Sequence, residues 1–402
     1  MQTSNHPWFF KIALLSISAL LSSAAVISPV IPDMIKAFPD QSKAAVETLL
    51  TVPNFGIIFS LFLSPILIKF IGKKATILIG LTIALISGML PIFVADYTTI
   101  LAARFAFGAG IGLFNSLAVS LLAEFFEGDE LASMMGFQSM VGSLGSAILS
   151  FSLSYLITLG WQQSFYVYLI ILPIIFIFST SVKLTPKAAA TNQAGPVAEE
   201  KIRFNLPVVG IALLMFILFG LFMTSVIKLP ELIVSSGIGT ASSVSIISGI
   251  STLVGLPVGI LYGTFYKKMN RMILPIGLLT VTCGFFVLSM APNLLVLIAG
   301  VLMTGIGFGL SIPYIYTWTA EIAPKNAINI SYILLLITIN IGVFCSPLLL
   351  NAVAAAFNNY SPAFSMMVAG TGFLLLFIFI TLKTIAIKRK EIKVQGVMPH
   401  EN

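Results

Sequence analysis

One arginine of this 402-residue chain lies inside an otherwise uncharged segment, which makes it the first candidate for chemistry. Arg104 stands ~9 Å into the helix that is predicted to begin near Tyr97. A charge at that depth is costly unless it is paired or faces a cavity, so it indicates a functional site. We expect Arg104 to orient an acidic or carbonyl group on the first apolar segment, with Asp33 as its partner and as the proton site. The alternatives are an arginine that reaches the lipid headgroups and a solvated loop aspartate.

Two glutamates, Glu124 and Glu321, stand at equivalent ends of two other apolar segments. The helix dipole disfavours a carboxylate at a C-terminal helix end, so each should have a basic partner. The partners expected are Lys267, Lys268 or Arg271 for Glu124, and Lys73 or Lys74 for Glu321. We predict a gate between two halves of the molecule, with solvated helix ends as the alternative; its residues are Gly72, Lys73, Lys74, Glu124, Lys267, Lys268 and Glu321.

A second pair of charges, Lys228 and Glu231, is three residues apart near the end of an apolar segment. Side chains at this spacing are neighbours on one helix face. A surface pair on one helix is therefore the default prediction, and an outer gate is the alternative.

Neutral polar side chains inside the apolar segments complete the set of candidates. An amide in hydrocarbon is costly unless it is hydrogen-bonded, so these groups should face the interior of the protein. Together with Arg104, they form the predicted substrate site: Asn54, Asn115, Gln138, Tyr314 and Asn340. Hydrogen bonding between neighbouring helices explains each of them equally well.

The positions of histidine and cysteine exclude several kinds of chemistry. Both histidines, His6 and His400, lie in the terminal tails, so a histidine metal site or a catalytic triad cannot form in the core. Cys283 and Cys345 are too few for a disulfide framework. We expect no cofactor, no metal and no enzymatic activity, because a membrane-embedded transferase would need several convergent catalytic groups.

The elements that must position these residues follow from composition. Charged residues make up only 9% of the chain and hydrophobic residues 58%, whereas a soluble domain carries about 25% charged residues. A helix of about 20 apolar residues crosses a bilayer. The charge-free runs predict an all-α membrane protein with twelve transmembrane helices, named spans 1 to 12: 8–31, 45–68, 75–95, 98–124, 131–158, 162–182, 205–228, 240–265, 272–291, 293–320, 327–350 and 361–383.

Basic residues are distributed unevenly between the two ends of these spans. With the N-terminus inside, the inner loops and tails hold seventeen Lys and Arg residues, and the outer loops hold only Lys36 and Lys43. This asymmetry follows the positive-inside rule. It predicts a multi-pass protein of the plasma or inner membrane with both termini cytoplasmic. It also explains the net charge of +7 without a nucleic-acid partner.

One long polar insertion, at 184–203, separates the first six spans from the last six. Its residues are mainly Ala, Pro, Thr and charged side chains, a composition typical of a flexible linker. We predict an N-terminal six-helix bundle at 1–183, a cytoplasmic linker at 184–203, and a C-terminal six-helix bundle with a short basic tail at 204–402.

The two halves also resemble each other at an offset of 197 residues, at which Gly80 matches Gly277 and Glu124 matches Glu321. Closely spaced glycines recur in spans 4 and 10: Gly108, Gly110, Gly112, Gly305, Gly307 and Gly309. Small residues allow helices to approach closely, so we predict packing that still permits movement. Parallel repeats place the substrate path between pseudo-symmetric halves, which rock to give alternating access.

These features resemble the major facilitator superfamily over nearly the whole chain. The loop between spans 2 and 3 keeps the glycine and basic pair of a family motif as Gly72, Lys73 and Lys74. Lys69 stands where the family carries Asp, which argues against the latch that this Asp forms there. Residues 104–112 resemble the span-4 motif of drug and solute exporters, and the span-5 antiporter motif is partly present at 136–145. The resemblance implies the major facilitator fold and a branch of twelve-helix drug or sugar exporters.

Resemblance and sparse charge together predict a secondary transporter that exports a small neutral or weakly cationic amphipathic solute, with proton antiport. A carrier of phosphate esters would display two or more central basic residues. A transporter or facilitator for a sugar-like nutrient is the alternative, because amides and tyrosines also suit hydroxyl groups. The expected partners are the solute, protons and the lipid bilayer, and we expect a monomer.

Overall fold

A computed structural model describes residues 7–182, 206–324 and 327–395. The predicted linker at 184–203, both histidines and the end of the basic tail lie outside the described residues. The described ranges form twelve α-helices joined by turns: α1 Trp8–Ser16, α2 Ile31–Ala37, α3 Lys43–Met89, α4 Tyr97–Phe125, α5 Gly128–Leu156, α6 Ile171–Ser181, α7 Leu206–Ser235, α8 Ala241–Met269, α9 Ile273–Ser289, α10 Leu294–Ile322, α11 Ile328–Ala356 and α12 Pro362–Gln395.

Four of these helices, α1, α2, α3 and α9, explain how the predicted spans map onto the structure. Span 1 is a bent pair that contains α1 and α2, with 42° between its two parts. Spans 2 and 3 are the two parts of α3, which is interrupted at Gly72 (φ +81°), where glycine avoids steric strain. The 17 residues of α9 extend about 26 Å, which is near the lower limit for crossing the hydrocarbon. Within the described ranges, nine helices pass a test of length and apolarity, and the bent pair is a tenth. Dividing α3 and adding α9 gives twelve spans.

The break in span 1 follows from its serine-rich sequence. Serine side chains bond to backbone carbonyls and compete with regular helix; here the Ser23 hydroxyl donates to the Leu20 carbonyl at 2.7 Å. Pro29 has no backbone N–H to continue the helical ladder. Three short 3₁₀ turns therefore replace α-helix at Ile17–Leu20, Ser23–Ala25 and Ser28–Val30. This change leaves carbonyls of span 1 available to other partners.

Two hydrophobic clusters form the core. The first is built almost wholly from spans 1 to 6, with Phe107 and Phe165 fully buried, and the second from spans 7 to 12, with Phe285 and Phe373 fully buried. A few residues of spans 7 and 11 join the first cluster, so the two halves also touch. The architecture is two six-helix bundles packed side by side.

The internal repeat is visible in the geometry of α4 and α10. Asp96 caps α4 by accepting from the backbone N–H of Thr99 (2.8 Å), and Asn293, 197 residues later, caps α10 in the same way. Hydrogen bonds from Thr99 also hold the pKa of the Asp96 carboxyl below its ordinary value. A Cβ on Gly110 would lie 2.6 Å from the Gly80 carbonyl, and a Cβ on the equivalent Gly307 would lie 2.5 Å from the Gly277 carbonyl. The two bundles are therefore pseudo-symmetric at the level of single contacts.

The two bundles are in contact at one end of the molecule and apart at the other. At the closed end, where α5 ends and α8 begins, the Ser242 hydroxyl donates to the Ser154 carbonyl at 2.8 Å. Phe55 of α3 stacks on Phe344 of α11 with a centroid distance of 5.1 Å. At the opposite, open end, no residue of α8 from 250 to 269 is buried. A helix packed against a neighbour buries one face, so α8 is not packed against the first bundle there.

Candidate functional site

A cavity of about 330 Å³ lies between the two bundles, next to the broken part of span 1. Hydroxyl groups from both bundles line it: Ser22, Ser28, Ser143, Ser146 and Ser150 from the first, and Ser225, Ser248, Ser251, Thr252 and Thr304 from the second. Apolar groups such as Val26, Phe222 and Leu229 fill the spaces between them, and none of the described residues that line the cavity carries a charge. The cavity can therefore hold a small neutral molecule by hydrogen bonds and apolar contact.

Arg104 is fully buried but does not line this cavity. Its guanidinium donates to the carbonyls of Leu49 (3.0 Å) and Ala24 (2.7 Å) and to the Tyr168 hydroxyl (2.9 Å). The Tyr168 hydroxyl in turn donates to the Ser23 carbonyl at 3.3 Å. Arg104 and Tyr168 thus satisfy the carbonyls that the break in span 1 leaves open. The sequence predicted an acidic or carbonyl partner for Arg104 on span 1, and in the structure this partner is the carbonyl of Ala24.

The predicted pair of Arg104 with Asp33 is wrong. Asp33 instead forms an exposed ion pair with Lys36, one helical turn away, at 3.1 Å. The three donating nitrogens of Arg104 are already used by two carbonyls and one hydroxyl. Asp33 is not among the partners of Arg104 in this conformation.

The neutral candidates do not converge on one site. The Asn54 amide donates to Thr51 at 3.2 Å and the Asn340 amide donates to Leu336 at 2.8 Å, so each bonds to a carbonyl of its own helix. Gln138 is buried and Asn115 is half-buried, but neither lines the cavity between the bundles. Tyr314 lines a separate cavity within the second bundle. The hydroxyls that do line the central cavity were missed, because serine and threonine are common throughout apolar helices and carry no distinctive spacing.

The predicted gate at the open end is also wrong in its pairing. Glu124 pairs with Lys73 of its own bundle at 2.6 Å, and Glu321 accepts from the Tyr266 hydroxyl of its own bundle at 3.4 Å. Lys74 donates to the Ser179 carbonyl, while Lys267 and Lys268 are exposed. Since the bundles are apart at this end, these side chains find partners within one bundle rather than across the gap.

Ion pairs between the bundles are found at the closed end instead. Lys228 of α7 pairs with Glu47 of α3 at 2.5 Å, and both side chains are almost inaccessible, at 3% and 1% exposure. The second oxygen of Glu47 accepts from the Asn351 amide of α11 at 2.6 Å. Glu231 of α7 pairs with Lys43 of α3. Lys228 and Glu231 therefore do not form the predicted surface pair; each reaches across to the first bundle. Glu47 was missed because it directly precedes a charge-free run and resembles an ordinary helix-start residue.

The six predicted packing glycines fall into two groups. A Cβ on Gly108 would overlap the Pro53 backbone, and one on Gly112 would lie 2.7 Å from Ser60. Gly110 and Gly307 make the equivalent close contacts described above. Gly305 and Gly309 face α8 with looser contacts: an added Cβ would lie 3.2 Å from Ser251 and 3.4 Å from Val258. The tight contacts therefore lie within each bundle, and the two remaining glycines lie against a helix that lines the cavity.

Two repeated helical bundles with an uncharged cavity between them, closed at one end and open at the other, are the architecture of a membrane transporter. The family model of the Major Facilitator Superfamily matches residues 12–347. The chain belongs to this superfamily. It is a multi-pass secondary transporter of small molecules in the lipid bilayer rather than an enzyme.

Several solved transporter structures are similar to this chain in fold. A mutant of the nucleoside transporter NupG gives a TM-score of 0.76 at 12% identity, covering 94% of this chain and 99% of that one. The xylose transporter XylE from E. coli, in an inward open conformation, gives 0.71 at 18%, covering 92% and 95%. The POT family transporter PepTSo gives 0.73 at 14%, covering 95% and 99%. A search of curated proteins finds no match.

Proposed function

We propose that this transporter exports a small neutral or weakly cationic amphipathic solute in exchange for protons. The uncharged, hydroxyl-lined cavity between the bundles is the observation that carries the proposal. A cavity without fixed charge disfavours an ionic solute such as a phosphate ester, because such a charge would have to be desolvated without a partner. Alternating hydroxyl and apolar groups suit a molecule that has both kinds of surface.

The ends of the cavity fit one step of an alternating-access cycle. The closed end is the one that carries Lys43 and Glu47, and the positive-inside rule assigns it to the outside. The open end then faces the cytoplasm, both termini are cytoplasmic, and the conformation is the one that loads solute for export. The protein acts as a monomer in the plasma or inner membrane, with bundles at 1–183 and 204–402 that rock about the cavity.

We assign proton coupling to Glu47 rather than to Asp33. The Glu47 carboxylate holds Lys228 and Asn351 of the second bundle, and all three must separate when the closed end opens. A proton on Glu47 removes the charge that attracts Lys228, so proton uptake and opening of this end are linked. Asp33, which lies in an exposed pair, lacks such a connection between the bundles.

Flux into proteoliposomes with an imposed pH gradient tests the function. We expect a neutral amphipathic dye to move against its own gradient while protons move the other way, and a protonophore to stop it. The Glu47→Gln variant should lose the dependence on the pH gradient but keep passive exchange of the dye. The matched control, Asp33→Asn, should remain coupled. If dye flux through the unaltered protein did not depend on the pH gradient, the proposal of antiport would be overturned.

The second candidate is a transporter of a hydroxylated nutrient, favoured by the many hydroxyl groups of the cavity. Two structures of similar fold are described as a nucleoside transporter and a xylose transporter. The same proteoliposomes, supplied with labelled xylose or uridine in place of the dye, distinguish the two candidates. Saturable sugar or nucleoside flux without dye flux would support the nutrient transporter.

A further inference from the structure

A groove on the outer surface of the second bundle lies between the first half of α7 and the middle of α12. It has a volume of about 490 Å³, and its walls include Leu206, Leu213 and Phe379, which are all exposed. Trp318 of α10 forms part of its lining, and Gly210 leaves open space above it. The groove is thus apolar and open sideways, toward the lipid.

The length of the groove matches one leaflet of a bilayer. Its lining residues on α7 run from Leu206 to Ile217, a rise of about 16 Å at 1.5 Å per residue. The hydrocarbon core of a bilayer is about 30 Å thick, so one leaflet contributes about half of that. A single acyl chain therefore fits along α7 from the membrane interface to the bilayer centre.

A polar cavity adjoins the groove at its interfacial end. This cavity, of about 330 Å³, shares Trp318, Ile380 and Lys383 with the groove and is also lined by Arg271 and Glu321. The Lys383 ammonium lies 5.1 Å from the centre of the Trp318 ring, as is common for side chains at the membrane interface. Among the described residues that line this cavity, two cations, Lys383 and Arg271, against the one carboxylate of Glu321 give a net positive charge. An apolar groove that ends in a basic cavity is complementary to a lipid with an anionic headgroup.

We propose that this groove binds one anionic phospholipid, with an acyl chain between α7 and α12 and the phosphate beside Lys383 and Arg271. The groove lies outside the transport cavity, so the proposal is independent of the solute and of the direction of transport. Trp318, Ile380 and Lys383 connect the two parts of the site, so a change in either part should weaken binding of the same lipid molecule.

Native mass spectrometry of the full-length protein, after exposure to vesicles of equal parts phosphatidylglycerol and phosphatidylcholine, tests this site. We expect one retained phosphatidylglycerol per chain. Lys383→Gln should reduce its retention about fivefold, the effect of one basic residue near an anionic surface. Gly210→Phe should reduce retention of both lipids, because the new ring occupies the groove. The matched controls are Lys267→Gln, an exposed lysine elsewhere at the same end, and Gly259→Phe, a glycine with equally open surroundings.

The outcomes separate the proposal from non-specific adsorption and from misfolding. Unchanged retention in both Lys383→Gln and Gly210→Phe would overturn it, as would equal retention of the two lipids by the unaltered protein. Melting temperatures in lipid-free detergent should be the same for each variant and its control. A phosphatidylglycerol with a photoactivatable acyl chain should label peptides of α7 and α12, and labelling spread over all helices would also overturn the proposal.

Discussion

At the scale of single residues, the buried charged side chains of this transporter have two kinds of partner. Arg104 bonds to neutral polar groups, whereas Glu47 and Lys228 bond to each other. Arg104 is surrounded by carbonyls of spans 1 and 2 and by Tyr168, so it holds a broken helix in place. Glu47 and Lys228 neutralise each other across the boundary between the bundles. The hydrogen bonds of Arg104 should remain intact through the transport cycle, whereas the ion pair of Glu47 with Lys228 must separate.

The structural role of Arg104 can be tested by replacing its guanidinium with a group that cannot bond to all three partners at once. Arg104→Lys keeps the charge but cannot reach both carbonyls and the hydroxyl together, so a buried carbonyl is left without a donor. We expect a loss of about 1–3 kcal/mol in the free energy of unfolding, together with reduced transport. Thermal melting in detergent and flux in proteoliposomes measure the two effects. Asp33→Asn, which changes an exposed pair, should melt as the unaltered protein does; equal melting of Arg104→Lys would contradict this role.

The ion pair can be tested by a double-mutant cycle. Either Glu47→Gln or Lys228→Met leaves one buried charge without its partner, which costs about 3–5 kcal/mol in buried pairs. This cost should destabilise the conformation that is closed at this end, so each single variant should open this end more often. A cysteine introduced nearby should then react faster with a water-soluble thiol reagent than it does in the unaltered protein. The double variant should be closer to the unaltered protein. Strictly additive effects would show that the pair does not hold the bundles together.

At the scale of helices, glycines decide how closely neighbours approach. Span 2 and α4 cross where Gly108 lies against the backbone of Pro53, and α4 and span 3 meet at Gly110 and Gly80. The same contact recurs in the second bundle at Gly307 and Gly277. Backbone contact of this kind leaves no room for a side chain, so each bundle is expected to move as a unit.

A methyl group at one of these crossings should therefore disrupt the bundle. Gly108→Ala requires α4 to move away from Pro53, and we expect a clear fall in melting temperature and in transport. Gly136→Ala on α5 is the matched control, because the part of the chain that the structure describes places no other atom within 4 Å of the added Cβ. There, replacing a helical glycine should be neutral or should stabilise by up to about 1 kcal/mol. Equal melting of the two variants would contradict the proposed packing.

At the scale of the whole molecule, the two bundles are in contact through α5 with α8 and α3 with α11. Ser154 meets Ser242, and Phe151 lies 3.0 Å from the position of a Cβ on Gly249, which sets an antiparallel register between α5 and α8. Continued along both helices, the register places Gly136 opposite Gly263 at the open end, where an added Cβ on either would meet no atom of the described residues within 4 Å. Rocking should bring that second pair together as the first pair separates.

Paired cysteines test this movement in a background with Cys283 and Cys345 replaced by serine. Cross-linking of Ser154→Cys with Ser242→Cys should trap the closed end and stop transport, and reduction should restore it. Cross-linking of Gly136→Cys with Gly263→Cys should be slow at rest and should increase during turnover. Single-cysteine variants serve as controls. Rapid cross-linking of both pairs without turnover would contradict the open conformation.

Much of the architecture was predictable from the sequence, while little of the site was. The ends of α4 and α10 differ by 197 residues, the same offset that relates Gly80 to Gly277. Glu124, Lys228 and Glu231 were each predicted to form an ion pair, and each does, but with a different partner from the one predicted. Glu124 was expected to cross to the second bundle and pairs with Lys73 instead, because the conformation keeps the bundles apart at that end.

The sequence by itself determined the number of spans, the distribution of charge and the duplication of the helical bundle. These properties depend on stretches of about 20 residues, the length at which an apolar helix matches a bilayer. Only the tertiary structure decided which groups meet. Arg104 bonds to a carbonyl 80 residues away and Lys228 pairs with a carboxylate 181 residues away. Helical spacing determines which residues share a face, but a partner on another helix depends on how all the helices pack and on which end of the molecule is closed.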